Sequence, residues 1–102
     1  MEINIKSKEQ FLSEIKAPRV LVDFYATWCG PCKMLSPIIS QVAEEHPEIK
    51  VLRIDVDEVQ EIAAEYNIFS IPTLYYFENG EVVRNGVGFM PKPNVLRLCG
   101  IE

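Results

Sequence analysis

The chain has 102 residues, 48% of them hydrophobic, and a formal net charge of −5. That length and apolar content suffice for one packed domain over residues 1–102, with no need of a metal or a disulfide framework. The acidic balance excludes a nucleic-acid or anionic-membrane surface, either of which selects for clustered Lys and Arg, and points to proteins as partners.

Ile3 and Ile5 alternate with polar neighbours as a short first strand. Ser7 and Gln10 have the spacing of a capping box opening a helix that carries Phe11, Leu12 and Ile15 and ends by Pro18. Val20 to Tyr25 is almost continuously apolar, which predicts a strand buried on both faces, with Asp23 as its one charged interruption. A helix is expected from about Pro31 to Glu45, closed by His46-Pro47, built on Met34, Leu35, Ile38, Ile39 and Val42, kinked at Pro37 and solvated along Gln41, Glu44 and Glu45. Val51, Leu52, Ile54 and Val56 form a third strand, after which Asp57 caps a short helix carrying Val59, Ile62, Ala63 and Tyr66. Ile71-Pro72-Thr73 leads into Leu74 to Phe77, and Asn79-Gly80 turns that strand back into Val82-Val83 as a hairpin. Gly86 and Gly88 suggest a bulge or a close backbone approach, and Pro93 begins a last helix with Val95, Leu98 and Cys99. The alternation implies parallel pairing early, an antiparallel hairpin late, and helices on both faces of a mixed α/β sheet.

Two thiols, Cys29 and Cys32, stand where the buried strand gives way to the long helix. Unpaired N–H groups and the positive end of the helix dipole favour thiolate at that place, so Cys29 is expected to be the nucleophile and Cys32 the resolving thiol. Two intervening residues allow a small disulfide, and Pro31 suits a first helical turn. The competing readings are half of a zinc site or two buried small residues. Zinc needs about four ligands, and only His46 and the distant Cys99 are on offer, so the redox reading is preferred and no metal is expected.

The Trp-Cys-Gly-Pro-Cys-Lys motif at 28–33, after Val-Asp-Phe at 22–24 and before Ile-Pro-Thr at 71–73, resembles the thioredoxin family over nearly the whole chain. The resemblance implies a thioredoxin-like α/β fold with a mixed sheet of about five strands flanked by about four helices. It implies Cys29 as attacking and Cys32 as resolving cysteine, Pro72 as a cis-proline and Asp23 as a buried carboxylate that exchanges a proton with Cys32. Trp28, Gly30, Pro31, Ile71, Pro72, Val87 and Gly88 resemble the family's docking surface, where substrate backbone pairs in strand fashion. Three departures stand out. A lysine common near the family's carboxylate aligns with Val51, while Lys50 faces the other way by strand alternation. Tyr25 stands where the family often has tryptophan. Cys99 is an extra thiol, which helical spacing assigns to the core rather than to regulation or dimerisation.

The function implied is a thiol–disulfide carrier that reduces protein disulfides through Cys29 and Cys32, with no cofactor beyond that pair and an NADPH-dependent thioredoxin reductase as electron donor. Gly-Pro between the cysteines resembles reducing members rather than oxidants. The rivals are an oxidase or isomerase of an exported compartment, and a largely non-catalytic binding subunit. No apolar run approaches membrane-spanning length and no N-terminal stretch resembles an export signal, so a cytoplasmic location and no membrane association are expected. A monomer is the expected state. In a reducing compartment a cysteine pair is more often catalytic than structural.

Overall fold

A computed structural model describes residues 1–101. Five strands form one mixed sheet: β1 (Glu2–Asn4), β2 (Arg19–Tyr25), β3 (Lys50–Asp55), β4 (Thr73–Glu78) and β5 (Glu81–Val87), ordered β1-β3-β2-β4-β5. The first three run parallel, β4 lies antiparallel to β2, and β5 antiparallel to β4. The apolar run of β2 thus takes the central place, paired on both edges and buried on both faces.

Four helices cover the faces: α1 (Lys8–Glu14), α2 (Gly30–Glu45), α3 (Gln60–Glu65) and α4 (Lys92–Leu98). The two-residue alternation of β2 splits its side chains between two cores. Val20, Val22 and Phe24 meet Phe11 of α1 and Ile62 of α3, joined by Leu52, Ile54 and Phe77. Phe11, Tyr66, Tyr75 and Phe77 pack there largely edge to face, with Tyr66 and Tyr75 centroids 5.5 Å apart. Leu21 on the opposite face meets Leu35, Ile39 and Val42 of α2, together with Val95 and Cys99 at the end of α4. Burying a side chain of this size stabilises by roughly 1.5–3 kcal/mol, so these two layers hold the sheet in place.

The local signals act largely as expected. Ser7 accepts the Gln10 N–H at 3.1 Å, and the Gln10 side chain reaches back to the Lys6 N–H at 2.7 Å, one residue before the cap. Asn79 and Gly80 have φ of 53° and 83°, the two positive values that a tight hairpin turn requires.

Four expectations are corrected. Leu12 and Met34 lie on the outer sides of their helices and are exposed rather than in the core. Asp57 does not cap α3: the Glu58 and Val59 N–H groups turn back onto the Asp55 carbonyl, which delays the helix to Gln60 and leaves Val59 as an N-cap without a side-chain bond. The hairpin's bulge is not at Gly86 or Gly88. It falls at Val83, the extra residue between Val82, opposite Phe77, and Arg84, opposite Tyr76. Gly86 instead gives room to Met90, whose Cε would lie 2.9 Å from an added Cβ, and Gly88 has φ of 91°.

Candidate active site

β2 ends at Tyr25, and a short turn, closed by the Cys29 N–H donating to the Ala26 carbonyl at 3.3 Å, delivers Cys29 to the N-cap of α2. The Cys29 backbone is extended (φ −88°, ψ 113°), and its Sγ accepts the Cys32 N–H at 3.2 Å. This sulfur therefore fills the role that a Ser or Asp oxygen plays at other helix starts, and the same N–H together with the helix dipole stabilises negative charge on it. Cys29 and Cys32 are joined as a disulfide with Cα atoms 5.2 Å apart. Gly30 and Pro31 between them are exposed, with nothing within 4 Å of where a Cβ on Gly30 would stand.

Exposure does not distinguish the two sulfurs, since Cys29 is 4% and Cys32 3% exposed. Their surroundings do. Cys29 Sγ lies 3.8 Å from the Ile71 carbonyl oxygen, and the Ile71–Pro72 peptide is cis. Cys32 borders a cleft of about 220 Å³ on the other side, shared with Lys33, Ser36 and Arg53. The Pro72 carbonyl accepts the Gly88 N–H at 2.7 Å, which ties the end of β5 to the segment facing Cys29. Val87, opposite Thr73 in the ladder, is 64% exposed, and Trp28 is 69% exposed. Ile71, Pro72, Val87 and Gly88 are thus brought together, with Pro72 buried and contributing backbone. Trp28, Gly30 and Pro31 border the disulfide along the chain.

Asp57 has a different partner from the one its sequence position suggests: its Oδ2 accepts the Trp28 indole N–H at 2.8 Å. That bond fixes the orientation of an otherwise solvent-facing ring.

Asp23 lies under α2 and is 1% exposed. Burial pushes its carboxyl up to about 6, against the opposing pull of the Arg53 guanidinium and with a smaller upward contribution from Glu2. Arg53 corrects the expected lack of a cation here. In the parallel β2–β3 register Asp23 stands beside Arg53, on the same face, with Nε 2.9 Å from Oδ2. The Nε–H is not aimed along that line, so Asp23 Oδ1 and Arg53 Nε both remain without a hydrogen bond, and the contact is an ion pair rather than a bidentate clamp. Arg53 Nη1 donates instead to Glu2 and to Ser36 of α2, each at 3.1 Å, and its Cζ lies 4.5 Å from the Tyr25 ring centroid. Strand alternation is correct for Lys50, which faces α1 and pairs with Glu14 at 2.6 Å. The same alternation places Arg53 beside Val51 on the Asp23 face, the signal that would have found it. Cys99 is fully buried, free, and pushed up to about 12 by burial, in line with a core role.

The thioredoxin family model matches residues 2–98. The chain is 47% identical over 90 residues to a thioredoxin of Bacillus subtilis, covering 86% of each chain. It is 40% identical over 96 residues to one of Chlamydia trachomatis, covering 94% of each. Among solved structures, Plasmodium falciparum thioredoxin superposes with a TM-score of 0.89 at 33% identity, covering 98% of this chain and 97% of that one. Oxidised mitochondrial thioredoxin 3 of Saccharomyces cerevisiae superposes with a TM-score of 0.88 at 29% identity, covering 96% and 93%. With the disulfide at the start of α2, the five-stranded mixed sheet and a match across nearly its full length, the chain belongs to the thioredoxin family of thiol–disulfide oxidoreductases.

Proposed function

We propose that this chain reduces protein disulfides with Cys29 as the attacking and Cys32 as the resolving sulfur. The observation that carries the assignment is that Cys29 Sγ receives the Cys32 N–H at the helix start while lying 3.8 Å from the Ile71 carbonyl. A nucleophile stabilised by the helix is thereby held against a backbone edge suited to a substrate strand.

In the reduced chain the Cys29 thiolate attacks one sulfur of a substrate disulfide. That S–S bond breaks, a Cys29–substrate disulfide forms, and the other substrate sulfur leaves as a thiolate that takes up a proton. Cys32 then loses its proton and attacks Cys29 Sγ. The mixed disulfide breaks, the second substrate thiol departs, and the Cys29–Cys32 bond closes. Two electrons have passed to the substrate. Asp23, raised to about 6, is the proton acceptor for Cys32, and the cleft lined by Cys32, Ser36 and Arg53 gives solvent a route between buried groups and bulk. Arg53 limits how far burial raises Asp23, so the carboxylate remains ionised near neutral pH.

The redox group is the cysteine pair itself, with no metal or organic cofactor. A thioredoxin reductase drawing on NADPH is the proposed donor, and the chain works as a monomer in the cytoplasm. No helix among the described residues is long and apolar enough to cross a membrane. Trp28, Gly30, Pro31, Ile71, Val87 and Gly88 form the substrate surface, with Pro72 presenting the Ile71 carbonyl. Insulin reduction tests the assignment: Cys29→Ser should abolish turnover, whereas Cys32→Ser should accumulate a mixed disulfide through Cys29. Accumulation through Cys32 in a Cys29→Ser protein would reverse the roles.

A further inference from the structure

Phe69 is 91% exposed, the most exposed large hydrophobic side chain among the described residues. Its backbone is nevertheless pinned on both sides. Asn67 takes a left-handed conformation (φ 54°), the Asn67 and Ile68 N–H groups donate to the Ala64 and Ala63 carbonyls at 3.2 and 2.9 Å, and Ile68 packs on the core. On the other side the Thr73 hydroxyl donates to the Ser70 carbonyl at 2.6 Å. Phe69 is therefore held out into water by an ordered loop rather than left there by a frayed one. Keeping such a ring exposed forgoes the stabilisation its burial would bring, and with Val87, also exposed and on the same cleft, it puts apolar surface beside the active site, where such surface serves binding.

The ring lines a cleft of about 210 Å³ together with Val87, Asn67, Thr73, Tyr75 and Asn85. No charged residue lines it, although the chain carries a net charge of −5. The cleft is continuous with the surface around the cysteine pair: Val87 precedes Gly88, whose N–H is bonded to Pro72, and Phe69 stands two residues before Ile71, whose carbonyl faces Cys29. Two residues of extended chain span about 7 Å. A substrate segment lying along Ile71 with its half-cystine at Cys29 would carry a neighbouring side chain to this cleft.

We propose that the cleft between Phe69 and Val87 receives a large apolar side chain of the protein substrate, one or two residues from the half-cystine that Cys29 attacks, and so sets a sequence preference for the reaction. The inference deepens the reductase reading and rests on it. An uncharged cleft lined by aromatic and aliphatic side chains, with two exposed amides, suits Phe, Tyr or Leu and disfavours charged residues, which would lose hydration there without a partner.

The test uses two cyclic disulfide peptides, identical except for Phe or Ser at the positions flanking each half-cystine. Pre-reduced protein is mixed with increasing peptide, and its oxidation is followed in a single turnover, which separates half-saturation from the limiting rate. The wild type should favour the Phe peptide by about fivefold, expressed in half-saturation; an enclosed pocket would give roughly tenfold or more. Phe69→Ser, at a site too exposed to disturb folding, should bring the ratio close to one, and Val87→Ser should reduce it in part. An unchanged ratio in Phe69→Ser overturns the proposal. So does a dimer, seen by sedimentation, that Phe69→Ser dissociates without altering the ratio, since the occupant would then be a second copy of the chain. Bis(2-hydroxyethyl) disulfide, which has no flanking residue, keeps the two levels apart. Oxidation of the wild type by it without a Phe preference removes this inference alone, and no oxidation by any of the three disulfides removes the reductase reading and this inference with it.

Discussion

The two ends of the central strand β2 hold nearly the same chemical groups and differ in what those groups can do. Near its C-terminal end stand Asp23, Arg53 over the Tyr25 ring, and the thiols of Cys29 and Cys32. At its N-terminal end stand Arg19 and Arg84 near the Tyr76 ring, Glu78 bonded to the Tyr76 hydroxyl, and the thiol of Cys99. The first end receives the N-terminus of α2, where the Cys32 N–H donates to the Cys29 sulfur. The second receives the C-terminus of α4, whose free groups are carbonyls. Arg84 donates to the Leu98 carbonyl and Arg19 to the Cys99 carbonyl, both at 2.7 Å, so the cations are occupied in closing a helix. Burial pushes Cys99 up to about 12 despite two nearby arginines. Helix polarity and the presence of a donor to sulfur, rather than exposure, therefore distinguish the surroundings of Cys29 from those of Cys99, because at 4% and 0% exposure both are nearly buried.

Alkylation of the reduced protein would break this comparison most directly. At pH 7 a thiol near 12 is ionised to roughly one part in 100,000, so iodoacetamide should label Cys29 at least about a thousandfold faster than Cys99, as read by peptide mass mapping over time. Cys99 should react only when the chain is unfolded. Comparable labelling of the two in the native protein would mean that helix polarity does not control reactivity here.

The carboxylate end offers the next largest effect. Asp23 at about 6 lies above its ordinary 3.8, so between those values the folded chain binds more protons than the unfolded one. Its contribution to stability is therefore greatest below about pH 4 and is lost as pH rises through 6. Asn cannot ionise, and it keeps an oxygen for Arg53. The stability of Asp23→Asn relative to wild type should accordingly grow between pH 4 and pH 8, by on the order of 3 kcal/mol, and disulfide exchange should slow. Arg53→Met removes the cation that opposes burial, so it should move the midpoint of this pH dependence above 6. Urea titrations at a series of pH values follow both shifts; a flat difference for Asp23→Asn would show that the carboxyl titrates normally. Truncation to Ala is a poorer probe, because it also removes the oxygen beside the largely buried Arg53 guanidinium and leaves a small cavity, which Asn does not.

The uneven legibility of the two ends in the sequence has a physical origin. Local chemistry announces itself: the continuous apolar run of β2, the Cys-Gly-Pro-Cys spacing at a strand-to-helix boundary and the Asn79-Gly80 turn each specify structure within a few residues. Arg53 depends on the register between β2 and β3, two strands separated by a whole helix. Alternation sets Arg53 on the same face as Val51, but its place opposite Asp23 follows only once the two strands are paired in register. Asp57 and Phe69 were obscure for a related reason. The first has the residue type of a helix cap but is held by Trp28, a partner 29 positions away. The second follows Ile68 in an apolar pair of which the core takes only one member.

The smallest effect concerns Cys99 itself. Its side chain belongs to the buried cluster that includes Leu21, Val95 and Tyr76, and the mechanism assigns it no electron or proton. Cys99→Ala removes one buried sulfur, which costs about 1 kcal/mol as lost contact and a small cavity. Cys99→Ser nearly preserves the volume yet places a hydroxyl in an apolar cluster, where an unmet hydrogen bond costs roughly 1–3 kcal/mol. Ser should therefore be the more destabilising of the two, although it resembles cysteine more closely in shape. Both variants should reduce insulin at the wild-type rate at temperatures where they remain folded. Urea midpoints give the stability order, and turnover at matched folded fraction gives the activity. An Ala variant that folds well yet turns over slowly would give the two ends of β2 a functional connection, and Cys99 would no longer be the inert member of the comparison.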